Sequence, residues 1–288
     1  MDYLIKEDLL FVTQFLGLTQ EQFADEIGVP SETISRIVSG TISPSYEMLE
    51  KIHSYIYEKG IKLNEIKALA YQKKHQTVLF HGSKDSIVGD ISLDHSREHV
   101  DFGVGFYMGD NYSQSLDFVS QIKKSGNVYI LKVDLSNLRV LHLDISLKWM
   151  LLIALNRGWI DDYKNTQKCQ ELIKEFESYD VIVAPIADNR MFNTISDFVT
   201  SAISSEQAIH ALSDLSLGNQ IVFRTKKSLK HIEILEKLFV SQKERSECIV
   251  SKTQRIIDAD TYIKKNYEKY VRQGLYIKEV FEDEKNDL

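Results

Sequence analysis

Between Leu9 and Gly60 the apolar positions recur every three or four residues: Phe11 and Phe15; Phe23, Ala24 and Ile27; Ile34 and Ile37; then Met48, Leu49, Ile52 and Ile56. That period puts each set on one helix face and predicts a series of short amphipathic helices. The breaks carry start and stop signals. Thr19 precedes QEQFADEIG with Glu21 and Gln22 behind it, and Ser31 precedes ETISRIVSG. Gly28-Val29-Pro30 reads as a tight turn, Gly40 as a stop, and Pro44 as the opening of a further helix. After residue 75 the pattern changes. VLFHGS (78–83) is a short apolar run ending in His81, Gly82 and Ser83, as a buried strand would end, and VIVAP (181–185) is a second such run followed by Asp188-Asn189. KWMLLIALNRGW predicts an amphipathic helix with Trp149 in the core. Its Arg157 stands at the end of that helix. Beyond residue 231, HIEILEKLFVSQKERSECIV and ADTYIKKNYEKYVRQG read as helices before an acidic EDEKNDL, with Tyr262, Ile263, Tyr267, Tyr270 and Val271 on one helix face.

At 288 residues the chain has room for two domains, and 43% hydrophobic with 27% charged residues suits a globular protein with a sizeable core. Cys169 and Cys248 match no metal or redox spacing, so no metal is expected and a reducing compartment is. MDYLIKEDLL lacks the features of a signal peptide, and runs such as WMLLIAL are too short to span a bilayer, so the expectation is a cytoplasmic protein with no membrane contact.

The stretch LTQEQFADEIGVPSETISRIVSGTISPSYEMLEKI resembles the Cro-repressor-type (Xre) helix-turn-helix. Gln20 at the front of the second helix, Ala24 at the helix crossing, Gly28 in the turn and Ile34 in the recognition helix carry the likeness. The resemblance implies that Ser31, Glu32, Thr33, Ser35 and Arg36 face base edges and that Gln20 holds a phosphate. Charge pulls the other way. Residues 1–60 hold four basic against ten acidic side chains, a net charge of −6, and phosphate neutralisation supplies most of a DNA binder's affinity. Operator DNA and a protein partner such as an antitoxin therefore both stay open for this module, as does a homodimer.

Twenty residues past His81 comes DFGVGFYMGDNYSQS (101–115), with glycines at 103 and 105 and an aromatic pair behind them. Its spacing is wrong for a phosphate-cradling loop. An L-x-HGS strand end followed by G-x-GFY and Ser-x-Ser is similar to the NAD-binding core of diphtheria-toxin-like ADP-ribosyltransferases, with the poly(ADP-ribose) polymerases as cellular relatives. YDVIVAPIADN (179–189) and SLGNQIVFRT (216–225) resemble later strands of a largely uncharacterised bacterial branch of that superfamily. The resemblance spans about residues 77–230. It implies that His81 bonds a ribose hydroxyl, that Gly82 and Ser83 read the nicotinamide carboxamide, and that Tyr107 stacks on the ring. Asp101, Phe102 and Gly105 would line the same cofactor site, and Arg157 would be either a solvated helix end or a contact to the cofactor's pyrophosphate. The family usually places a glutamate where this chain has Gln220, which bonds a hydroxyl but carries no charge. A carboxylate about 5 Å from a developing cation is worth roughly 3 kcal/mol at an effective dielectric near 20, or about two decades in rate. Asp188 and Asn189, or Asp101, could replace it; for Asp188-Asn189, plain turn chemistry is an equal alternative.

The fold expected is α+β: an all-α helix-turn-helix domain and linker (1–75), an ADP-ribosyltransferase-like split β-sheet domain with helices (76–231), and a helical C-terminal extension (232–288). The activity implied by the resemblance is NAD-dependent mono-ADP-ribosyl transfer to a macromolecule, protein or nucleic acid. His81, Tyr107 and Gln220 would be its catalytic residues, in a bacterial toxin, toxin–antitoxin or phage-defence setting. Two alternatives stand beside it: a transcriptional regulator that senses NAD or ADP-ribose through an inactive transferase fold, and an NAD glycohydrolase.

Overall fold

The computed structural model describes residues 2–94, 96, 99–122, 126–213, 218–253, 269–271 and 273–282. They fall into two compact units. One holds residues 1–89, 111–133 and 233–252, the other 90–110, 134–232 and 253–288.

The first unit begins with five helices: α1 (Ile5–Leu16), α2 (Gln20–Glu26), α3 (Ser31–Val38), α4 (Tyr46–Glu58) and α5 (Leu63–Lys74). Thr19 caps α2 in a reciprocal pair with Gln22, at 3.1 and 2.9 Å. Gly28 makes the turn to α3 at φ +65, a backbone angle that disfavours any side chain. The expected cap on α3 is corrected: Pro30 holds the cap position and Ser31 is the first helical residue. Phe23, Ala24, Ile34, Ile37, Leu49, Ile52 and Ile56 form the core as their spacing predicts. Phe11 and Phe15 do not join them. The buried face of α1 is Ile5, Leu9 and Val12, and the two phenylalanines stack on its outer side with centroids 6.1 Å apart.

The same unit continues with strands β1 (Val78–Ser83), β3 (Asn127–Val133) and β7 (Ile232–Phe239) in the order β1-β3-β7, and with α6 (Tyr112–Ser120). β1 and β3 are antiparallel, with His81 opposite Tyr129. β7 corrects the sequence reading, since IEILEKLF is a strand and not a helix. Residues on both sides of position 75 share this compact unit, and Phe239 inserts into the helical core among Tyr3, Tyr46 and His53. Buried polar contacts reinforce this junction. Lys67 on α5 pairs with Asp8 on α1 and, at 2.6 Å, with Glu236 on β7. Asn64 Nδ2 donates to Phe239 O and to Glu244, both at 2.9 Å, and Tyr112 donates to Glu244 at 2.8 Å.

His53 lies in this core with its Nε2 buried and without a hydrogen-bond partner among the described residues, and burial first, then Lys67, lowers its pKa to about 3. A base whose folded pKa is depressed stabilises the fold above its unfolded value near 6.5, and that contribution is lost as pH falls toward 3. His53→Leu should therefore gain roughly 2 kcal/mol relative to the wild type between pH 7 and pH 5. Urea titrations of both proteins at the two pH values check this. A difference that does not change with pH overturns it.

The second unit carries β2 (Phe106–Gly109), β4 (Val140–His142), β5 (Val181–Pro185) and β6 (Asn219–Phe223) in the order β4-β5-β6-β2. β4 and β5 run parallel, and β6 is antiparallel to both β5 and β2. Helices α7 (Leu147–Asn156), α8 (Gln167–Glu177), α9 (Asn189–Val199), α10 (Ser205–Leu212) and α11 (Lys226–Leu229) complete it. α7 is not amphipathic: every residue from Trp149 to Leu155 is buried. A short helix, Ile277–Glu282, buries Ile277, Val280 and Phe281 in the same core, with Phe281 stacked on Tyr163 at 4.6 Å. Of the C-terminal aromatic face expected from sequence, Tyr270 stacks on His210 at 3.8 Å and Val271 is exposed; Tyr262, Ile263, Tyr267 and the acidic end beyond Glu282 lie outside the described residues.

Candidate functional site

Gln220 sits near the start of β6, opposite Gly109 of β2 and Ala184 of β5, so strands flank it on both sides and the residue is 7% exposed. Its Nε2 donates to Asp101 Oδ2 at 3.0 Å and to Pro185 O at 3.3 Å. Asp101 is itself buried. Its Oδ1 accepts from Arg157 Nε at 3.1 Å and Nη2 at 2.7 Å. The Arg157 guanidinium lies 3.6 Å from the Phe192 ring centroid and 5.5 Å from that of Trp159. Pro185 O also accepts from Trp149 Nε1 at 3.3 Å. The result is a preorganised chain: aromatic rings, guanidinium, carboxylate, carboxamide. Its last member, Gln220 Oε1, accepts from no described residue and is not completely sealed within the protein. That oxygen is left out of the described hydrogen-bond network.

The loop before β2 is held by Tyr107, whose hydroxyl donates to Gly103 O at 2.7 Å and accepts from Phe102 N at 3.1 Å. Burial raises the Tyr107 pKa, so the hydroxyl stays protonated as this donor role requires. Phe102 is fully buried beside Phe176, which makes its side chain part of the core and not a wall of a cofactor site. Gly105 is required by packing: a Cβ there would lie 2.4 Å from Val222 Cγ1. Its backbone also bonds the Ser96 hydroxyl at 2.8 and 3.0 Å.

In the first unit, His81, Gly82 and Ser83 are the last three residues of β1. Gly82 faces α6, where a Cβ would come within 2.9 Å of Ser115 O. Ser83 Oγ donates to Asp85 O at 2.8 Å, and the His81 ring is 6.5 Å from that of Tyr129. Asp188 follows the turn-chemistry alternative. It caps α9 through Arg190 N and Met191 N, at 3.0 and 3.1 Å, and pairs with the Arg190 side chain, so it is not a spare carboxylate; Asn189 is the first residue of α9. On the helix-turn-helix, Ser31, Glu32, Ser35 and Arg36 are exposed and Thr33 and Gln20 half-buried, which leaves the recognition face accessible.

Sequence reasoning did not pair Asp101 with Arg157 or with Gln220. No local signal could, since 56 and 119 residues separate them. Arg157 is not a freely solvated helix end: its guanidinium is held by Asp101 and its side chain is 23% exposed. A cavity of about 350 Å³ next to the start of β6 is lined by Asp144, Ile145, Pro185, Ser213, Gly218 and Asn219, so Pro185 borders both it and the Gln220 contact. Among the described residues no group of three or more His, Cys, Asp or Glu could hold a metal, and no helix is long and apolar enough to cross a membrane.

No curated protein and no solved structure matches the chain. Residues 16–56 match the helix-turn-helix family model, consistent with the capped α2, the Gly28 turn and the exposed α3 face. A second family model covers residues 77–234, more than half of the chain and all of the strand-bearing segment up to the start of β7. The chain thus belongs to the family described as Protein of unknown function (DUF3990), with a helix-turn-helix preceding the matched region.

Proposed function

We propose that the chain is an NAD-dependent mono-ADP-ribosyltransferase whose helix-turn-helix docks it on DNA or on a partner protein. The observation that carries the reading is Gln220 Oε1, an acceptor without a partner among the described residues, held on a central strand by Asp101 and Arg157. A carboxamide so fixed suits a ribose hydroxyl, and the fixed orientation avoids reorganisation as positive charge grows on the ribose ring. His81, Gly82 and Ser83 enter through the motif alone. In the reaction the bond between nicotinamide and ribose breaks, nicotinamide leaves with the bonding pair, and an acceptor nucleophile closes on the ribose carbon. Gln220 takes no proton, so the acceptor is a group already nucleophilic at neutral pH or one bringing its own base, and one ADP-ribose is added per site.

The test is incubation of the full chain with adenylate-labelled NAD and whole lysate, followed by separate protease and nuclease digestion. The expected result is label in one macromolecular fraction as single ADP-ribose units, with Gln220→Ala lowering transfer about 10²-fold. Polymeric adducts, or an unaffected Gln220→Ala protein, overturn the assignment. The absence of a carboxylate at Gln220, together with the helix-turn-helix, favours one second reading, a regulator that binds NAD or ADP-ribose without turnover; calorimetric binding with neither label transfer nor nicotinamide release identifies it. Nicotinamide release without an acceptor identifies a glycohydrolase.

A further inference from the structure

The amide of a glutamine can present either its oxygen or its nitrogen, and the neighbours decide which. At Gln220 both neighbours on one side are acceptors. Asp101 Oδ2 lies 3.0 Å from Nε2 and Pro185 O 3.3 Å, and neither has a proton to give while Arg157 holds Asp101 Oδ1 from the other side at 2.7 Å. Turning the amide over would set Oε1 against a carboxylate and a carbonyl at hydrogen-bonding distance, trading two attractions for two repulsions. We infer that Asp101, clamped by Arg157, is a positioning residue that fixes Gln220 with its carbonyl outward, so that position 220 reads a donor on the ligand and rejects a group that can only accept. This rests on the transferase reading for the identity of the ligand, where the donor is a ribose hydroxyl. The polarity itself rests on the contacts alone.

Asp101→Asn separates the two possibilities at almost no change in volume. Arg157 offers only donors, so the introduced asparagine keeps its carbonyl toward the guanidinium and turns its amide toward position 220. Gln220 gains the bond from that amide only by turning Oε1 toward it, which gives up its own bond to Pro185 O, so the variant no longer holds the carbonyl outward; Pro185 O keeps its bond from Trp149 Nε1. The preference for presenting an acceptor is thereby weakened.

The experiment uses the full chain and two readouts. The first is calorimetric binding of NAD and of NAD carrying fluorine in place of the 2′-hydroxyl of the nicotinamide ribose, which accepts weakly and cannot donate. The wild type should prefer NAD by at least about 10-fold, and Asp101→Asn should shrink that preference several-fold. The second is hydrogen exchange of the Gln220 side-chain amide, assigned by its loss in Gln220→Ala. In the wild type it should exchange at least about 10-fold more slowly than the amide of exposed Gln14, and Asp101→Asn should remove most of that protection. Should Asp101→Asn fail to fold, the wild-type comparison with Gln14 still decides: equal exchange rates overturn the inference. An unchanged nucleotide preference or unchanged protection in a folded Asp101→Asn protein also overturns it. If neither nucleotide binds the wild type, the transferase reading falls, and the exchange comparison alone confirms or overturns the polarity of Gln220.

Discussion

Lys67→Met is expected to cost the first unit about 3–5 kcal/mol, which is enough to unfold a marginal domain. Methionine keeps the aliphatic stem, so the loss isolates the charge. The ammonium bridges Asp8 on α1 and Glu236 on β7, whose side chains are only 4% and 3% exposed. Without it two buried carboxylates face one another with no cation between them. Burial already raises the Asp8 pKa to about 6, against the pull of Lys67, and Glu236 raises it further. A carboxyl with a raised folded pKa contributes stability that is present below its unfolded value and lost as pH rises through the folded one. Removing Lys67 removes the influence that holds the pKa down. The deficit of the variant should therefore be smaller at pH 5 than at pH 8. Urea denaturation followed by circular dichroism measures it. A loss below about 1 kcal/mol, or one that grows as pH falls, would show that the triad is not what holds α1, α5 and β7 together.

That triad also explains which parts of the fold could be read from the sequence. The helix-turn-helix was legible because each of its signals is local: a 3.6-residue apolar period, a Thr19–Gln22 box and a glycine where φ must be positive. β7 was not. In IEILEKLF the apolar residues Ile232, Leu235, Leu238 and Phe239 fall at helical spacing, and Glu236 and Lys237 look like a solvated helix face. Both charges are instead buried in the strand, Glu236 against Lys67 and Lys237 near Tyr3 and Ser86. A strand whose inward positions are charged gives no alternating pattern, and the compensating partners lie far away along the chain. The candidate site divides in the same way. Tyr107 and Asp101 stand in a glycine-flanked aromatic run that marks itself locally, and Asp188 could be suspected as turn chemistry for the same reason, whereas Gln220 was singled out only by the family resemblance. What Asp101 does for Gln220, and what Arg157 does for Asp101, depends on three segments meeting in space.

The meeting of those segments also decides the fate of the most tempting substitution. Gln220→Glu returns a carboxylate to the place where the transferase reading wants one, and from sequence alone it should raise NAD cleavage. In the structure it puts that carboxylate about 3 Å from Asp101 Oδ2. Two charges at that distance repel by about 5 kcal/mol at an effective dielectric near 20, only part of which Arg157 can offset because its short bonds go to the other oxygen. The single variant is expected to lose about 2–4 kcal/mol of stability in the second unit and to gain no activity. Adding Asp101→Asn should reverse this. The introduced asparagine gives its carbonyl to Arg157 and its amide to the introduced glutamate, so the line of hydrogen bonds from guanidinium to position 220 is kept with the negative charge moved one residue toward the ligand. The double variant should recover most of the lost stability, with a coupling energy of roughly 1–3 kcal/mol in the double-mutant cycle. It should also cleave NAD about 10-fold or more faster than the wild type. Tryptophan fluorescence during urea unfolding gives the first number and nicotinamide release the second. A Gln220→Glu protein as stable as the wild type, or a double variant no better than the single, means that Asp101 does not govern position 220.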